Sequence, residues 1–406
     1  MLLQILVSSL AMAISAAPGA AQQQQRFDDV IRNLRNPDAK VRLTAVQLLH
    51  ESKYPEAIGP IAALVNDPVD QIQLEAIAAE LAFFLFEDTR TRKRVAGFVE
   101  VRNPGRAAAA FDQGPLAVAP HAAPPELVDA LLRAIDDENP KVRSEAIYAL
   151  GTIARGPLSA AQSAQLIKAL DHYDPAIRAA AARVSGRLKV ASAGDALMKA
   201  VNDSQPPVRY ASMRALGEIG DRRAVPVLTE QLNFYGKGEA AWSALDALAH
   251  LADPSSIPLF KTRLADKDPF LRRASAEGLA RTGDSSELPA LEIGAGNDAS
   301  EMVRAAMAFA LQKLGRNYVP RLVESLDSKA APQVAEYFLE LGSAVAPQLA
   351  SHLQDPSAEI RANVATVLGA IGDTTTVDAL QPLTQDKDRG VAQAAARAIE
   401  RLKARQ

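Results

Sequence analysis

Apolar positions along this chain follow a helical spacing that keeps returning, and the spacing predicts short amphipathic helices from Phe27 to Leu402. In the stretch opening at Val208, apolar or small residues stand at Val208, Ser212, Ala215, Leu216 and Ile219, which is one face of a 3.6-residue period. The same face is read at Val142, Arg143, Ala146, Ala149, Leu150, Gly151 and Ile153. Further copies begin at Val41-Arg42, Ile177-Arg178, Leu271-Arg272, Val303-Arg304 and Ile360-Arg361, with a weakened copy from Trp242 to Asp253. Arg178 and Arg209 are 31 positions apart, and Arg272 and Arg304 are 32 apart. A period of about 30 residues is the mark of a stacked array. It replaces the two or three globular domains that 406 residues would otherwise imply.

Each copy has a start signal. Asn36-Pro37, Asp67-Pro68, Asn139-Pro140, Asp174-Pro175, Asp268-Pro269 and Asp355-Pro356 precede the striped helices, a polar side chain for the orphan N–H groups and a proline that needs no donor. Pro226, Pro258, Pro289, Pro320 and Pro347 open a second series of shorter apolar stretches, so each unit is a hairpin of two helices. Gly220-Asp221, Gly283-Asp284 and Gly372-Asp373 read as stops. Such a hairpin cannot bury its apolar face alone, so about ten units must stack into an all-α solenoid. The expected organisation is repeats over 27–84, an irregular insertion over 85–125 that divides the array, and a longer array over 126–404. Within the insertion, the alternation from Val95 to Val101 hints at a short strand.

The recurring Asp-Pro-x-x-x-Val-Arg-x-x-Ala-x-x-x-Leu-Gly-x-Ile-Gly-Asp pattern resembles the HEAT repeat, in the short form of phycobilisome-lyase-type HEAT-like proteins. The resemblance implies a HEAT-like α-solenoid, a scaffold or partner-binding role, and, in a minority of members, a bilin or a di-iron centre. It also implies a structural ladder of an aspartate before the second helix and an arginine near its start. By that likeness Asp137 pairs with Arg143, Asp266 with Arg272, Asp298 with Arg304 and Asp355 with Arg361, and Arg178 and Arg209 occupy the same place.

Composition narrows the chemistry. The chain has no cysteine, which excludes disulfides, thiolate metal sites and cysteine nucleophiles. A net charge of -3 gives no field that would steer nucleic acid, so no nucleic-acid partner is expected. Residues 1–21 read as a signal peptide and 22–26 as a leader: Leu2 to Ala17 are apolar and uncharged, and small residues lead to Ala21. An exported chain, periplasmic or secreted, follows, with no stable membrane span after signal removal. The di-iron relatives use several His-Glu pairs, and this chain has one, His50-Glu51, so no metal and no cofactor are expected. Phosphate loops, nucleophile elbows and HExxH zinc motifs are lacking, so the chain reads as no enzyme.

Two groups are candidates for partner binding. Arg90, Arg92, Lys93 and Arg94 form a basic cluster in the insertion, with Glu87 and Asp88 beside it. Tyr210, Trp242 and Arg273 share one repeat position, about 180° round the helix from the apolar stripe. There they project onto the inner curve and have the composition of a hot spot, or else the two rings cover the seam between units. The sequence therefore points to an exported scaffold that binds a protein or peptide on its concave face; a cofactor- or metal-binding enzyme and a structural envelope component are the alternatives.

Overall fold

The computed structural model describes residues 27–52, 54–86, 105–119 and 122–404. Short outer helices, several of them running into a 3₁₀ turn, alternate with longer inner helices. The inner helices are α1 (Ala39–Ser52), α2 (Asp70–Phe84), α4 (Pro140–Ile153), α5 (Pro175–Arg187), α6 (Pro206–Ile219), α7 (Gly238–Leu251), α8 (Pro269–Thr282), α9 (Glu301–Lys313), α10 (Ala331–Leu341), α11 (Ala358–Ile371) and α12 (Arg389–Lys403). A further helix, α3 (Arg106–Asp112), lies in the insertion. One apolar core runs the length of the stack from Leu34 to Leu402.

The array bends because its inner helices pack more tightly than its outer ones. Small residues allow this. A methyl added at Gly217 of α6 would lie 2.8 Å from the Ala247 Cα of α7, so only glycine permits that approach. Helix α6 ends on Gly220, whose φ of 84° is left-handed, and the Asp221 N–H then reaches back to the Leu216 carbonyl at 3.3 Å. Gly283 ends α8 in the same way. Gly372 differs: its backbone is extended, and Asp373 after it caps the next outer helix.

The start signals resolve into two positions. Asn139, Asp174 and Asp268 are the caps, accepting from the N–H two residues on. Asp67 and Asp355 stand two residues before the cap and accept from Val69 and Ser357 instead. Asp137, Asp203, Asp266, Asp298 and Asp386 do the same. These aspartates hold the bend between the helices and leave their second oxygen for a neighbour.

The insertion departs from expectation. It leaves the chain between α2 and α4 without interrupting the stack, since α4 packs on α2 and Gln73 donates to Asp137 at 2.8 Å across that seam. Residues 105–119 are also regular: α3 is followed by a 3₁₀ turn over Pro115–Ala117, and Val118 bridges to Leu85. The signal segment, the hinted strand at 95–101 and the basic cluster lie outside the described residues. Among the described residues no helix is long and apolar enough to cross a membrane.

Candidate functional site

The ladder runs between units. Arg178 makes a two-pronged pair with Asp203 (2.8 and 2.9 Å), Arg272 with Asp298 (2.9 and 2.9 Å) and Arg361 with Asp386 (2.9 and 2.9 Å), each in the following repeat. Arg42 meets Asp67 similarly. The pairs expected six residues apart are made through the backbone instead. Arg143, Arg272, Arg304 and Arg361 donate to the carbonyls of Asp137, Asp266, Asp298 and Asp355, while each carboxylate accepts the N–H two residues on at the start of its own helix. The Arg178 hydrogen bond lowers the Asp203 carboxyl below its ordinary range against the opposing effect of burial. Arg143 reaches Asp174 at 3.1 Å, since His172 stands where the ladder aspartate would be. Arg209 donates to the Asp203 and Ser204 carbonyls and lies 6.0 and 5.9 Å from the Tyr210 and Tyr235 ring centres.

Tyr210, Trp242 and Arg273 do not form one surface. Trp242 stacks on Phe270 at 4.1 Å, and its indole N–H donates to Asp268 at 2.6 Å. Ala241 occupies its unit's ladder position, and the indole spans the seam in the missing arginine's place. Tyr210 stays half-buried beside Arg209. Arg273 alone joins the inner wall, and it is engaged in a chain of charges.

That chain links four units. Arg273 binds Asp246 at 2.8 Å and Glu277 at 2.9 Å; Arg281 joins Glu277 at 3.2 Å to Glu340 at 2.9 Å; Lys313 closes on Glu340 at 2.7 Å. The Tyr337 hydroxyl, its ring stacked on Phe309, donates to Glu277. Burial would raise the Asp246 carboxyl, but Arg273 and His250 hold it well below the usual range. Burial pushes the Tyr337 hydroxyl far up, and the neighbouring Glu277 adds to the effect, so it stays a donor. Further along the wall, burial raises the Glu218 and Glu336 carboxyls, with Arg187 near both pulling the other way.

The insertion docks on this wall. Phe111 of α3 sits between Arg183 and Arg187 of α5, 4.9 and 4.2 Å from the ring centre, and tilts against Tyr148 of α4. A methyl at Gly151 would lie 2.7 Å from the Phe111 ring, so the repeat's glycine opens the pocket. Asp112 pairs with Arg183, and both terminal nitrogens of Arg187 donate to the Phe111 carbonyl at 3.3 Å. At the far end, Arg155 donates to the Val118 and Ala119 carbonyls (3.1 Å each), and Arg401 of α12 to those of Leu116 (2.7 Å) and Val118 (3.2 Å). The array thus curls until its last inner helix meets a segment held by its early repeats.

His50 bonds to Glu75 of the next unit at 2.7 Å and not to Glu51, and among the described residues no three His, Cys, Asp or Glu converge as metal ligands. Two features escaped the sequence reading. Arg183 and Arg187 form an i, i+4 pair off the apolar stripe, which spacing alone could have marked. Glu80, wholly buried, occupies the position held elsewhere by Leu49, Leu150, Leu216, Leu248, Leu279, Leu311 and Leu368. Aligning the copies residue by residue would have exposed it.

A solenoid of paired helices with an arginine ladder and a charged inner wall defines an α-helical repeat protein. The HEAT repeats family matches residues 163–233, 237–312 and 346–406, and a single HEAT repeat matches 127–156; the chain belongs to the HEAT-repeat family. The uncharacterized phycocyanin operon protein Z of Pseudanabaena tenuis is 26% identical over 167 residues, 38% of this chain and 80% of that protein. Among solved structures, the complex of CpcE and CpcF of phycocyanin lyase from Nostoc sp. is similar at 22% identity and TM-score 0.40, over 61% of this chain and 96% of that one. Importin beta is similar at 14% identity and TM-score 0.45, over 93% of this chain and 58% of that one. The expectation that the chain is no enzyme is corrected on the sequence match: the chain is similar to a phycocyanin operon protein, which leaves an enzymatic role open. Missing catalytic motifs were a weak ground for it, because a family can do chemistry without the motifs of other folds.

Proposed function

We propose that this HEAT-repeat chain binds a protein or peptide partner along the inner wall of its array, outside the cytoplasm. The observation that carries the reading is the docked segment 105–119: inner-wall arginines hold its main-chain carbonyls and a pocket takes its one aromatic ring. A wall that grips peptide backbone is built for peptide recognition, and long curved arrays offer such walls at low cost in new structure. Export rests on the signal-like residues 1–21. Crosslinking in the native host, followed by purification and mass spectrometry, tests both parts. A recurrent partner crosslinked to inner helices, on a chain starting near Gln22, is expected; crosslinks confined to the outer helices overturn the site, and an intact Met1 start overturns cleavage.

A second reading, favoured by the identity to the phycocyanin operon protein, is enzymatic action on phycocyanin or a related pigment protein. Mixing the chain with pigment and apoprotein and following visible absorbance decides it. An unchanged spectrum rejects that reading.

A further inference from the structure

We infer that Arg209 is a binding site for a carboxylate supplied from outside the chain. Four other ladder arginines show what such a site is. In Arg42, Arg178, Arg272 and Arg361, Nη1 donates to the main-chain carbonyls five and six residues back, which fixes the guanidinium with Nε and Nη2 facing the next unit. There the two nitrogens close on the two oxygens of an aspartate 25 or 26 positions on, at 2.7–3.0 Å. Arg209 is held in the same way, its Nη1 donating to the Asp203 and Ser204 carbonyls at 2.8 and 3.1 Å. The bend that it faces has no acid. Phe234 and Tyr235 stand 25 and 26 positions on, and Tyr235 lies two residues before Lys237 at the start of α7, as Asp203 lies two before Gln205 at the start of α6.

Among the described residues Arg209 therefore bonds through Nη1 alone, and its Nε is buried without an acceptor. Asp203 feels the Arg209 charge, but its two oxygens are taken by Arg178 and by the Gln205 N–H. Arg143 and Arg273 also bury an Nε without an acceptor, yet each guanidinium pairs with a carboxylate, Asp174 and Asp246. Arg304 pairs with none among the described residues, but no aromatic ring flanks it there, and a pair left in water is worth little. At Arg209 the rings of Tyr210 and Tyr235 flank the guanidinium, with centres 6.0 and 5.9 Å from Cζ. At that range they attract the cation only weakly. Their larger effect is to exclude water, so that a charge pair formed beside them is screened less than one at the open surface.

Two N–H groups on one flank of a guanidinium match the two oxygens of a carboxylate, and the four internal pairs show that this orientation takes one. Tyr210, Arg214 and Glu218 follow at four-residue steps along α6, which sets the site at the rim of the inner wall. The ligand is the carboxylate of an aspartate or glutamate on a bound protein segment, or that of a small organic acid. The site stands on this geometry and not on the binding role proposed above.

The test follows the Arg209 Nε–H signal of the full chain by nuclear magnetic resonance, the signal being identified by its loss in Arg209→Lys. Acetate is expected to shift it saturably, half-way at roughly 10–100 mM for one two-pronged pair, and chloride at equal ionic strength is not. A signal that ignores acetate, or moves equally with chloride, overturns the inference, and this reading needs no variant at the bend. Tyr235→Asp then supplies the carboxylate from within the chain. It should melt higher than Tyr235→Asn, lose that advantage in an Arg209→Lys background, and no longer respond to acetate. A folded Tyr235→Asp chain that responds to acetate as the unaltered chain does would put the acetate elsewhere and overturn the site. A photocrosslinker at Glu218 in the native host tells the two sources apart. An adduct that Tyr235→Asp abolishes assigns the carboxylate to the partner; acetate binding with the adduct unchanged or absent assigns it to a small acid. An adduct on a chain whose Arg209 ignores acetate overturns this site and leaves the inner-wall role standing.

Discussion

Glu80 is a carboxyl where seven other units place leucine, and among the described residues neither of its oxygens has a hydrogen-bond partner. Burial raises its pKa well above the ordinary value. The sign follows: a carboxyl raised in the fold leaves stability whole below the unfolded pKa of about 4.3, and stability is lost as pH rises from there toward the folded value. Glu80→Leu should therefore stabilise the chain at pH 8 by roughly 1–3 kcal/mol and much less at pH 4, as read by urea melts at the two values. Equal gains at both would contradict a buried neutral acid. The ladder aspartates work the opposite way. Asp203, lowered by Arg178, contributes stability that is present above the unfolded value of about 3.9 and is lost as pH falls below it. Trp242 belongs to the same seam: Trp242→Phe keeps the stack on Phe270 and gives up the Asp268 hydrogen bond, for an expected loss of about 1–2 kcal/mol in chemical denaturation. No loss would return the ring to the recognition role that its composition implied.

At the scale of elements, the helices and their period were legible because each copy repeats the same stripe, stop and polar start. The direction of the ladder was not. An Asp and an Arg six apart look like partners along the chain, and only the stacked geometry shows Arg272 reaching forward to Asp298 while its own Asp266 supplies a carbonyl. Arg272→Ala should thus cost roughly 2–3 kcal/mol, against under about 1 kcal/mol for Arg304→Ala, which among the described residues bonds to the Asp298 carbonyl alone. Similar losses at both would mean that the bond between units adds little. Helix α3 was also missed, because Arg106 to Asp112 is an alanine run without a second apolar series. Its partners, Tyr148, Arg183 and Arg187, lie in later units and are off the core stripe, so no local pattern announces them. The inner wall was readable as a surface, and its three nominated residues were not readable as a site, since equal repeat positions led Trp242 into a seam and Arg273 into a charge chain.

Across the molecule, the end of the array and its beginning meet through one short segment. Arg401 stands 283 residues from Val118 and donates to its carbonyl, with its guanidinium 5.3 Å from the Phe86 ring centre. That clasp ties the two ends of the curve together, and Arg401→Ala should loosen it, read as an increased radius of gyration in solution scattering with helix content unchanged. An unchanged radius would show that packing between units fixes the curve without it. The most direct test of the account is a pair of photocrosslinkers in the native host, one at Glu218 on the inner wall and one at Glu230 on an outer helix. The account predicts a discrete partner adduct from position 218 and none from position 230; adducts from 230 alone would contradict it.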